Sequence, residues 1–221
     1  MKAKRVLELL EQQYGVLRQK RRRRPLDVLI QTILSQNTSD ANSGRAYSSL
    51  VRRFGSWDEV SSAPVDEIAA AIRSGGLYRV KAARIKHILA TIKERTGATD
   101  LEFLESLPLA EAVQYLLDLP GVGRKTASCV LLFALGKPSL PVDTHVYRVA
   151  GRLGLIDGPV SVEKAHSMLE AMVPADKVYE FHLHMIEHGR RVCHARQPRC
   201  AACIFGKECP GSLVASGALP V

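Results

Sequence analysis

The chain has 221 residues, of which 46% are apolar and 24% charged, and a chain of this length can bury the core of one large domain or two small ones. Its 5% aromatic content, 11 prolines and 16 glycines exclude a disordered or collagen-like chain. The formal charge is +9, but nine cations within residues 1–24 face only Glu8 and Glu11, so the remaining chain is nearly neutral. We therefore interpret residues 20–24 as a solvated basic stretch, and the net charge by itself does not indicate a binding partner.

Apolar residues recur along the whole chain at the three- and four-residue spacing of an α-helix. A first helix is predicted around Val6–Leu10, and Pro25 opens a second helix. In that second helix a core stripe is predicted at Leu26, Leu29, Ile30, Ile33 and Leu34. Asp40 is predicted to cap a third helix, and Pro64 to begin a fourth that ends at Gly75-Gly76. Further helices are predicted over residues 80–95, 101–107, 110–119, 124–135, 143–153, 162–173 and 174–191. With about eleven helices and no alternating strand pattern, we predict an all-α fold.

No run approaches the ~18 apolar residues of a membrane span, and the basic N-terminus lacks the features of a secretion signal. We expect a cytoplasmic protein, associated with the nucleoid if the source is bacterial, that has no membrane partner and is a monomer. Four of the five cysteines fall within 17 residues, Cys193, Cys200, Cys203 and Cys209. In a reducing compartment this grouping favours metal ligation over disulfides.

The spacing of these cysteines is Cys-x6-Cys-x2-Cys-x5-Cys. Zinc sites usually combine two Cys-x2-Cys pairs, whereas this segment contains one such pair and two outlying cysteines. We therefore favour an iron–sulfur cluster over zinc. The neighbouring cations Arg190, Arg191, Arg196, Arg199 and Lys207 predict a basic loop suited to phosphates. We interpret the fifth cysteine, Cys129, as a buried core residue.

The segment Leu119-Pro120-Gly121-Val122-Gly123 lies between two apolar helices. Pro120 stops the first helix, and the two glycines permit backbone angles that other residues disfavour. The segment predicts a tight helical hairpin whose N–H groups, with the next helix N-terminus, can bind one phosphate of a nucleic-acid backbone. A plain structural turn is the alternative.

Lys125 falls in the first turn of the helix after this hairpin, where the helix dipole favours the neutral amine over the ammonium. A neutral lysine can attack C1′ of a nucleoside and form a Schiff base. Its alternative role is a contact to a second phosphate. Asp143 begins the following Asp-Thr-His segment and is first of all a helix N-cap, although a carboxylate also stabilises the oxocarbenium character that develops when a glycosidic bond breaks.

Three motifs accompany the cysteine loop: Leu-Pro-Gly-Val-Gly-Arg-Lys-Thr-Ala at 119–127, Val-Asp-Thr-His at 142–145 and His-Gly-Arg at 188–190. The combination resembles endonuclease III, a family of bifunctional DNA glycosylases and abasic-site lyases in the helix-hairpin-helix superfamily. The resemblance implies that Lys125 is the nucleophile and Asp143 the catalytic carboxylate. It also implies that the four cysteines bind a 4Fe-4S cluster. The expected activity is removal of oxidised pyrimidines from duplex DNA, followed by β-elimination through a Schiff base.

The resemblance further implies two helical domains that flank a DNA-binding groove. Residues 25–137 form a six-helix domain with the helix-hairpin-helix at about 111–135, and residues 1–24 with 138–221 form an iron–sulfur domain with the cluster loop at 193–209. Gly76-Leu77-Tyr78 and Lys81-Ala82 resemble the family loop whose leucine, here Leu77, enters the DNA stack. The expected DNA contacts are Gln36, Asn37, Leu77, Gly121, Val122, Gly123, Arg124, Thr144 and His145.

One segment departs from the family pattern. Where many endonuclease III enzymes read Ser-Ala-Gln-Ala-Thr-Asp, this chain reads Ser-Gln-Asn-Thr-Ser-Asp at 35–40, so the glutamine that fills the vacated stack is displaced or replaced by Asn37. A mismatch-directed glycosylase or one of narrowed specificity is therefore an alternative. A cluster-bearing DNA-binding protein with weak or lost catalysis is a third hypothesis.

Overall fold

The computed structural model describes residues 2–19, 23–158 and 160–213, and none of these residues lies in a strand. Eleven α-helices and several short 3-10 helices make up their regular structure, which confirms the predicted all-α fold. Of the predicted basic stretch, residues 20–22 lie outside the described part. No helix within the described ranges is long and apolar enough to cross a membrane.

The chain divides into two compact units, one of Met1–Lys20 with Pro138–Val221 and the other of Arg21–Lys137. Within the described residues of the second unit there are seven α-helices, where the resemblance implied six. They are α2 (Pro25–Ser35), α3 (Asp40–Phe54), α4 (Trp57–Ser62), α5 (Val65–Ala71), α6 (Tyr78–Thr96), α7 (Leu109–Leu117) and α8 (Arg124–Phe133).

Helix α2 is the centre of this unit. It packs against α3, α6 and α8, and all five residues of its predicted core stripe are fully buried. Because α2 is enclosed on several sides, its apolar surface is nearly continuous, and Val28 is buried with the stripe.

Polar residues decide where the helices of this unit begin. Ser39, not the predicted Asp40, caps α3, because its Oγ accepts a hydrogen bond of 3.3 Å from the N–H of Asn42. Asp40 is instead the first helical residue. Pro64 precedes a helix shorter than predicted, since α5 ends at Ala71 and a separate 3-10 turn covers Arg73–Gly75. The six-residue α4 was not predicted.

The other unit consists of α1 (Ala3–Tyr14), α9 (Thr144–Arg152), α10 (Val162–Met172) and α11 (Val178–Arg191), followed by the cysteine loop with 3-10 turns at Cys200–Ala202 and Gly206–Glu208. Helix α1 packs against α11, burying Val6, Leu9 and Leu10. The N-terminal helix therefore belongs to the same unit as the cysteine loop.

A polar network joins α1 to α11 at one end. Lys177 Nζ contacts Glu11 at 3.0 Å and Glu180 at 2.9 Å, and the N–H of Leu17 donates to Glu180 Oε1 at 3.0 Å. Burial by itself raises the pKa of Glu180, but the hydrogen bonds from Lys177 and Leu17 outweigh it and hold the pKa below its usual value. At neutral pH Glu180 is therefore an ionised anchor for the segment that follows α1.

Candidate functional site

The hairpin between α7 and α8 is a tight turn with a buried apolar base. Leu119 and Val122 are buried, and the N–H of Val122 donates to the Leu119 carbonyl at 3.1 Å. Gly121 has φ +73°, a left-handed conformation that favours glycine. A Cβ at Gly121 would also lie 2.7 Å from Nε of Arg84. Position 121 thus requires glycine for both its backbone conformation and the space over it. Val122 stabilises the turn through its backbone hydrogen bond and its buried side chain.

Helix α8 begins directly after this turn, at Arg124, with Gly123 as its N-cap. Gly123 has no side chain to cap the helix, and the first turn of α8 contains no acidic residue. The N–H groups of a first helical turn have no carbonyl of a preceding turn to bond, and they carry the positive end of the helix dipole. This end of α8 therefore has the electrostatics of an anion site.

Lys125 is the second residue of α8 and is half-buried, whereas the residues that follow it from Thr126 to Leu132 are buried. No described residue of its own unit hydrogen-bonds or ion-pairs with the Lys125 ammonium. The buried neighbours include Cys129, which confirms that this cysteine is a core residue. Lys125 thus combines a fixed backbone with a side chain that is available to a ligand.

Two strained loops lie side by side in the same unit. Asn37 has φ 52° and Leu77 has φ 48°. Asparagine tolerates the left-handed region, whereas a bulky residue such as leucine is strained there. A Cβ placed on Gly76 would be 3.8 Å from Oγ1 of Thr38 and 3.9 Å from the carbonyl oxygen of Asn37, so the two loops are close neighbours. Asn37 is exposed, and 58% of Leu77 is accessible to solvent.

Helix α6 holds both loops through residues on one of its faces. Lys81 is buried, and its Nζ donates to the carbonyls of Leu34 at 2.8 Å and Gly75 at 2.7 Å. One turn further along, Arg84 Nη1 donates to Oε1 of Gln36 at 2.8 Å. Burial lowers the pKa of Lys81, with a smaller contribution from Arg84. Lys81 was noted from the sequence only as part of the family loop, with no role of its own, and Arg84 was not noted, because its spacing does not distinguish it from a surface cation of an amphipathic helix.

In the other unit, Asp143 is the N-cap of α9. Its Oδ1 accepts a hydrogen bond of 2.8 Å from the N–H of Val146, which confirms the capping interpretation. No described residue of this unit donates to the second carboxylate oxygen, Oδ2. Thr144 is exposed in the first turn, whereas His145 is half-buried and its Nδ1 lies 3.1 Å from Nη2 of Arg148.

The segment before Asp143 is anchored by buried polar side chains. His166 Nδ1 lies 2.9 Å from the Leu140 carbonyl, and His182 Nδ1 lies 2.9 Å from the Pro141 carbonyl. Because a carbonyl only accepts, both rings carry their proton on Nδ1. Glu170 Oε1 accepts from the N–H of Leu140 at 3.0 Å. These contacts fix the backbone that leads into Asp143, and the sequence analysis did not assign them a role.

Arg148 connects α9 to the end of α11. Its Nη2 donates to the Gly189 carbonyl at 3.0 Å, and its Nε donates to the Cys193 carbonyl at 3.1 Å. A Cβ at Gly189 would lie 3.0 Å from His145, so glycine allows α9 and α11 to approach closely. The His-Gly-Arg motif of the sequence therefore has a packing role at this helix crossing.

The four C-terminal cysteines line one small cavity together with Arg152 and His188. All four are free thiols, and Arg152 Nη1 donates to Cys193 Sγ at 3.3 Å. The same guanidinium donates to the carbonyls of His194 at 2.7 Å and Ala195 at 3.1 Å. Among the described residues, no group of three or more His, Cys, Asp or Glu side chains converges closely enough to hold a metal ion.

Two of these thiols are buried deeply enough for their ionisation to be affected. Burial raises the pKa of Cys203 and of Cys209, since it disfavours the thiolate. His188 Nε2 lies 3.5 Å from Cys203 Sγ, and its Nδ1 lies 2.9 Å from the Tyr14 hydroxyl. Burial lowers the pKa of His188 to about 4, so the ring is neutral at neutral pH. Burial thus disfavours the thiolate forms of Cys203 and Cys209, which a bound cation would stabilise.

Exposed cations surround the cysteine loop. All five that the sequence predicted there are exposed: Arg190, Arg191, Arg196, Arg199 and Lys207. Arg191 contacts Glu187 at 3.2 Å, and nearby Arg5 of α1 forms a two-point contact with Glu208. The exposed surface of the loop is consequently basic, as predicted.

A profile described as HhH-GPD superfamily base excision DNA repair protein matches residues 30–175. The chain belongs to the HhH-GPD superfamily. It is 35% identical over 185 residues to endonuclease III of Thermotoga maritima. The matched region covers 84% of this chain and 82% of that protein. A relative from Arabidopsis thaliana is 39% identical over 165 residues, and this chain spans 56% of its length. A solved structure of a non-covalent endonuclease III–DNA complex matches 94% of each chain with a TM-score of 0.79 and 30% identity.

These similarities confirm the predicted resemblance to endonuclease III and identify this HhH-GPD protein as an enzyme of base excision repair. Of the predicted site residues, one unit contains Lys125, the hairpin and the two strained loops, and the other contains Asp143, Thr144, His145 and the cysteines. The roles of the individual residues remain predictions.

Proposed function

We propose that this HhH-GPD protein is a bifunctional DNA glycosylase that removes oxidised pyrimidines and then cleaves the strand as an abasic-site lyase. Its substrate would be duplex DNA with a damaged base or an abasic site. The observation that carries the proposal is the position of Lys125 in the first turn of α8, directly after the hairpin. Its amine has no hydrogen-bond or ion-pair partner among the described residues of its unit.

In the proposed reaction the neutral amine of Lys125 attacks C1′ of the extruded nucleotide, and the N-glycosidic bond breaks with its electron pair leaving on the base. The base takes up a proton as it departs. Opening of the sugar ring gives a Schiff base between Lys125 and C1′. Loss of a proton from C2′ then expels the 3′ phosphate by β-elimination, and water hydrolyses the Schiff base to release the enzyme.

Asp143 would stabilise the positive charge that develops on the sugar while the glycosidic bond breaks. The structure supports this role in one respect: capping of α9 uses only Oδ1, which leaves Oδ2 for a second partner. His166, His182 and Glu170, which anchor the preceding backbone, would hold this carboxylate in place.

We further propose that Cys193, Cys200, Cys203 and Cys209 bind a 4Fe-4S cluster. The four cysteines line one cavity and offer the all-thiolate donor set of such a cluster, although their sulfurs do not converge in this structure as the ligands of a single metal ion would. The guanidinium of Arg152 adds a donor to one of the sulfurs. When bound, the cluster would fix the basic loop as a structural centre. Brown colour with iron and sulfide in stoichiometric amounts would support this assignment, whereas zinc without sulfide would contradict it.

The test of the proposed activity is borohydride trapping with a thymine-glycol duplex and, in parallel, an abasic duplex. We expect a covalent adduct with both substrates, which peptide mapping assigns to Lys125. Lys125→Gln should form no adduct, whereas the matched control Lys164→Gln, which alters an exposed lysine on α10, should form it normally. Strand cleavage at an abasic site by Lys125→Gln would contradict the assignment of the nucleophile.

A second candidate function is a glycosylase of narrowed or mismatch-directed specificity. The observation that favours it is that Gln36 is bound to Arg84, so that Asn37 occupies the exposed position in the loop. Comparison of excision from thymine-glycol, uracil and G·T duplexes separates the two candidates. Preference for the mispairs would support the second, and stable DNA binding with no turnover on any of the three would indicate a binding protein.

A further inference from the structure

The structure holds Gln36 and Asn37 in different ways, although the two residues are neighbours with the same terminal group. Gln36 is half-buried, and its Oε1 accepts a hydrogen bond of 2.8 Å from Nη1 of Arg84. Asn37 is exposed and has a left-handed backbone with φ 52°. Only one of the two carboxamides is therefore presented at the tip of the loop.

Arg84 also contacts the hairpin. Its Nε and Cδ occupy the space over Gly121, where a Cβ would lie 2.7 Å from Nε and 3.0 Å from Cδ. The side chain of Arg84 thus passes the hairpin turn on its way to Gln36. Arg84 consequently links two regions that the proposed function assigns to DNA, the phosphate-binding turn and the loop of Gln36 and Asn37.

The backbone of this loop is fixed independently of Arg84. Lys81 holds the carbonyls of Leu34 and Gly75, at the bases of the two strained loops. Removing the Arg84 guanidinium should therefore free the Gln36 side chain without displacing the loop backbone. Under these conditions two adjacent carboxamides would compete to face the DNA.

We propose that Arg84 is a positioning residue that determines which side chain faces the unpaired base of the opposite strand. By holding Gln36 against α6, it leaves Asn37 to meet that base and so sets the preference of the enzyme for the base opposite the lesion. This inference rests on the proposed function, because an unpaired opposite base exists only when a nucleotide has been extruded or its base removed.

The experiment measures dissociation constants for duplexes that carry a tetrahydrofuran abasic analogue opposite each of the four bases. The variants are Arg84→Met and Gln36→Met, which keep an unbranched side chain, their double variant, and Asn37→Ala. We expect Arg84→Met to change the ratio between the best and the worst opposite base by about 3- to 10-fold, the effect of one hydrogen bond, because it frees the carboxamide of Gln36. Gln36→Met should leave the ratio near that of the wild type, because it removes the competing carboxamide, and the double variant should restore the ratio for the same reason. Asn37→Ala should abolish the preference.

Two results would overturn the role of Arg84. If Gln36→Met alters the ratio and Arg84→Met does not, Gln36 itself contacts the DNA. If Arg84→Met leaves the ratio unchanged but reduces the slope of log affinity against log salt by about 0.9, Arg84 is a phosphate contact. Failure of the proposed function is distinguishable, since the wild-type protein would then bind abasic duplexes no more tightly than undamaged DNA. Both methionine variants alter half-exposed side chains, and circular dichroism with thermal unfolding checks that they fold.

Discussion

Replacing Asp143 by asparagine or by alanine separates its capping role from its proposed chemical role. Asparagine caps helices as well as aspartate does, so Asp143→Asn keeps an acceptor for the Val146 N–H, now 2.8 Å from Oδ1. It loses only the attraction between a carboxylate and the helix dipole, about 0.3–1 kcal/mol. Asp143→Ala loses the cap as well, which costs about 1 kcal/mol more.

For a chain of this length each kcal/mol corresponds to a shift of about 2–4 °C in the melting temperature. We therefore expect Asp143→Asn to melt within about 4 °C of the wild type, and Asp143→Ala to melt a few degrees lower. If the carboxylate stabilises charge on the sugar, both variants should excise thymine glycol about 10²–10³-fold more slowly in single-turnover assays, as for loss of one preorganised electrostatic contact.

The two assays together decide between the roles. Excision by Asp143→Asn at the wild-type rate would show that Asp143 is a cap and nothing more. A loss of excision confined to Asp143→Ala would mean that the position of the α9 N-terminus matters, and not the charge. Cleavage of a preformed abasic site is a useful companion measurement, because no glycosidic bond remains to be broken there.

Three further predictions concern the hairpin, the cysteine loop and the contact between α1 and α11. Gly121→Ala should lower the free energy of unfolding by about 1–2 kcal/mol, because of its positive φ and its clash with Arg84, and an unchanged denaturation midpoint would contradict this. Arg152→Leu should lower the iron content per chain, since it removes a donor to a proposed cluster ligand, and full iron occupancy would show that this donor is dispensable. Glu180→Gln should melt below the wild type at pH 7. The difference should shrink as the pH falls through the lowered pKa of Glu180, below its ordinary value of about 4.3, because the wild-type carboxylate is then protonated too.

The spacing of apolar residues was sufficient to predict those helices that bury a complete apolar stripe. Helix α2 is an example, because its five predicted core positions recur at helical spacing and all are fully buried. The six-residue α4 was missed because it buries only Trp57 and Val60, too short a pattern to recognise. Ser39 and Asp40 are both good capping residues, and only the contact to Asn42 distinguishes them.

The cysteine spacing likewise predicted that four thiols share one place, but it could not predict what surrounds them. Arg152 precedes Cys193 by 41 residues, and it reaches the thiol because α9 packs against α11. The same holds for Tyr14, which lies 174 residues before its partner His188. Side chains that support a site across such distances leave no local pattern, so the sequence identified the groups proposed for chemistry and missed those that hold them.

Leu77 is the residue whose conformation is hardest to explain by folding alone. Its left-handed backbone costs about 1–2 kcal/mol, and since 58% of the side chain is exposed, burial returns little of that cost. Glycine would relieve the strain, but it would leave no side chain for the predicted insertion into the DNA stack. The conformation persists because Lys81 fixes the carbonyl of Gly75 just before it. A strained and exposed leucine held by a buried lysine is therefore a good candidate for the residue predicted to enter the DNA stack.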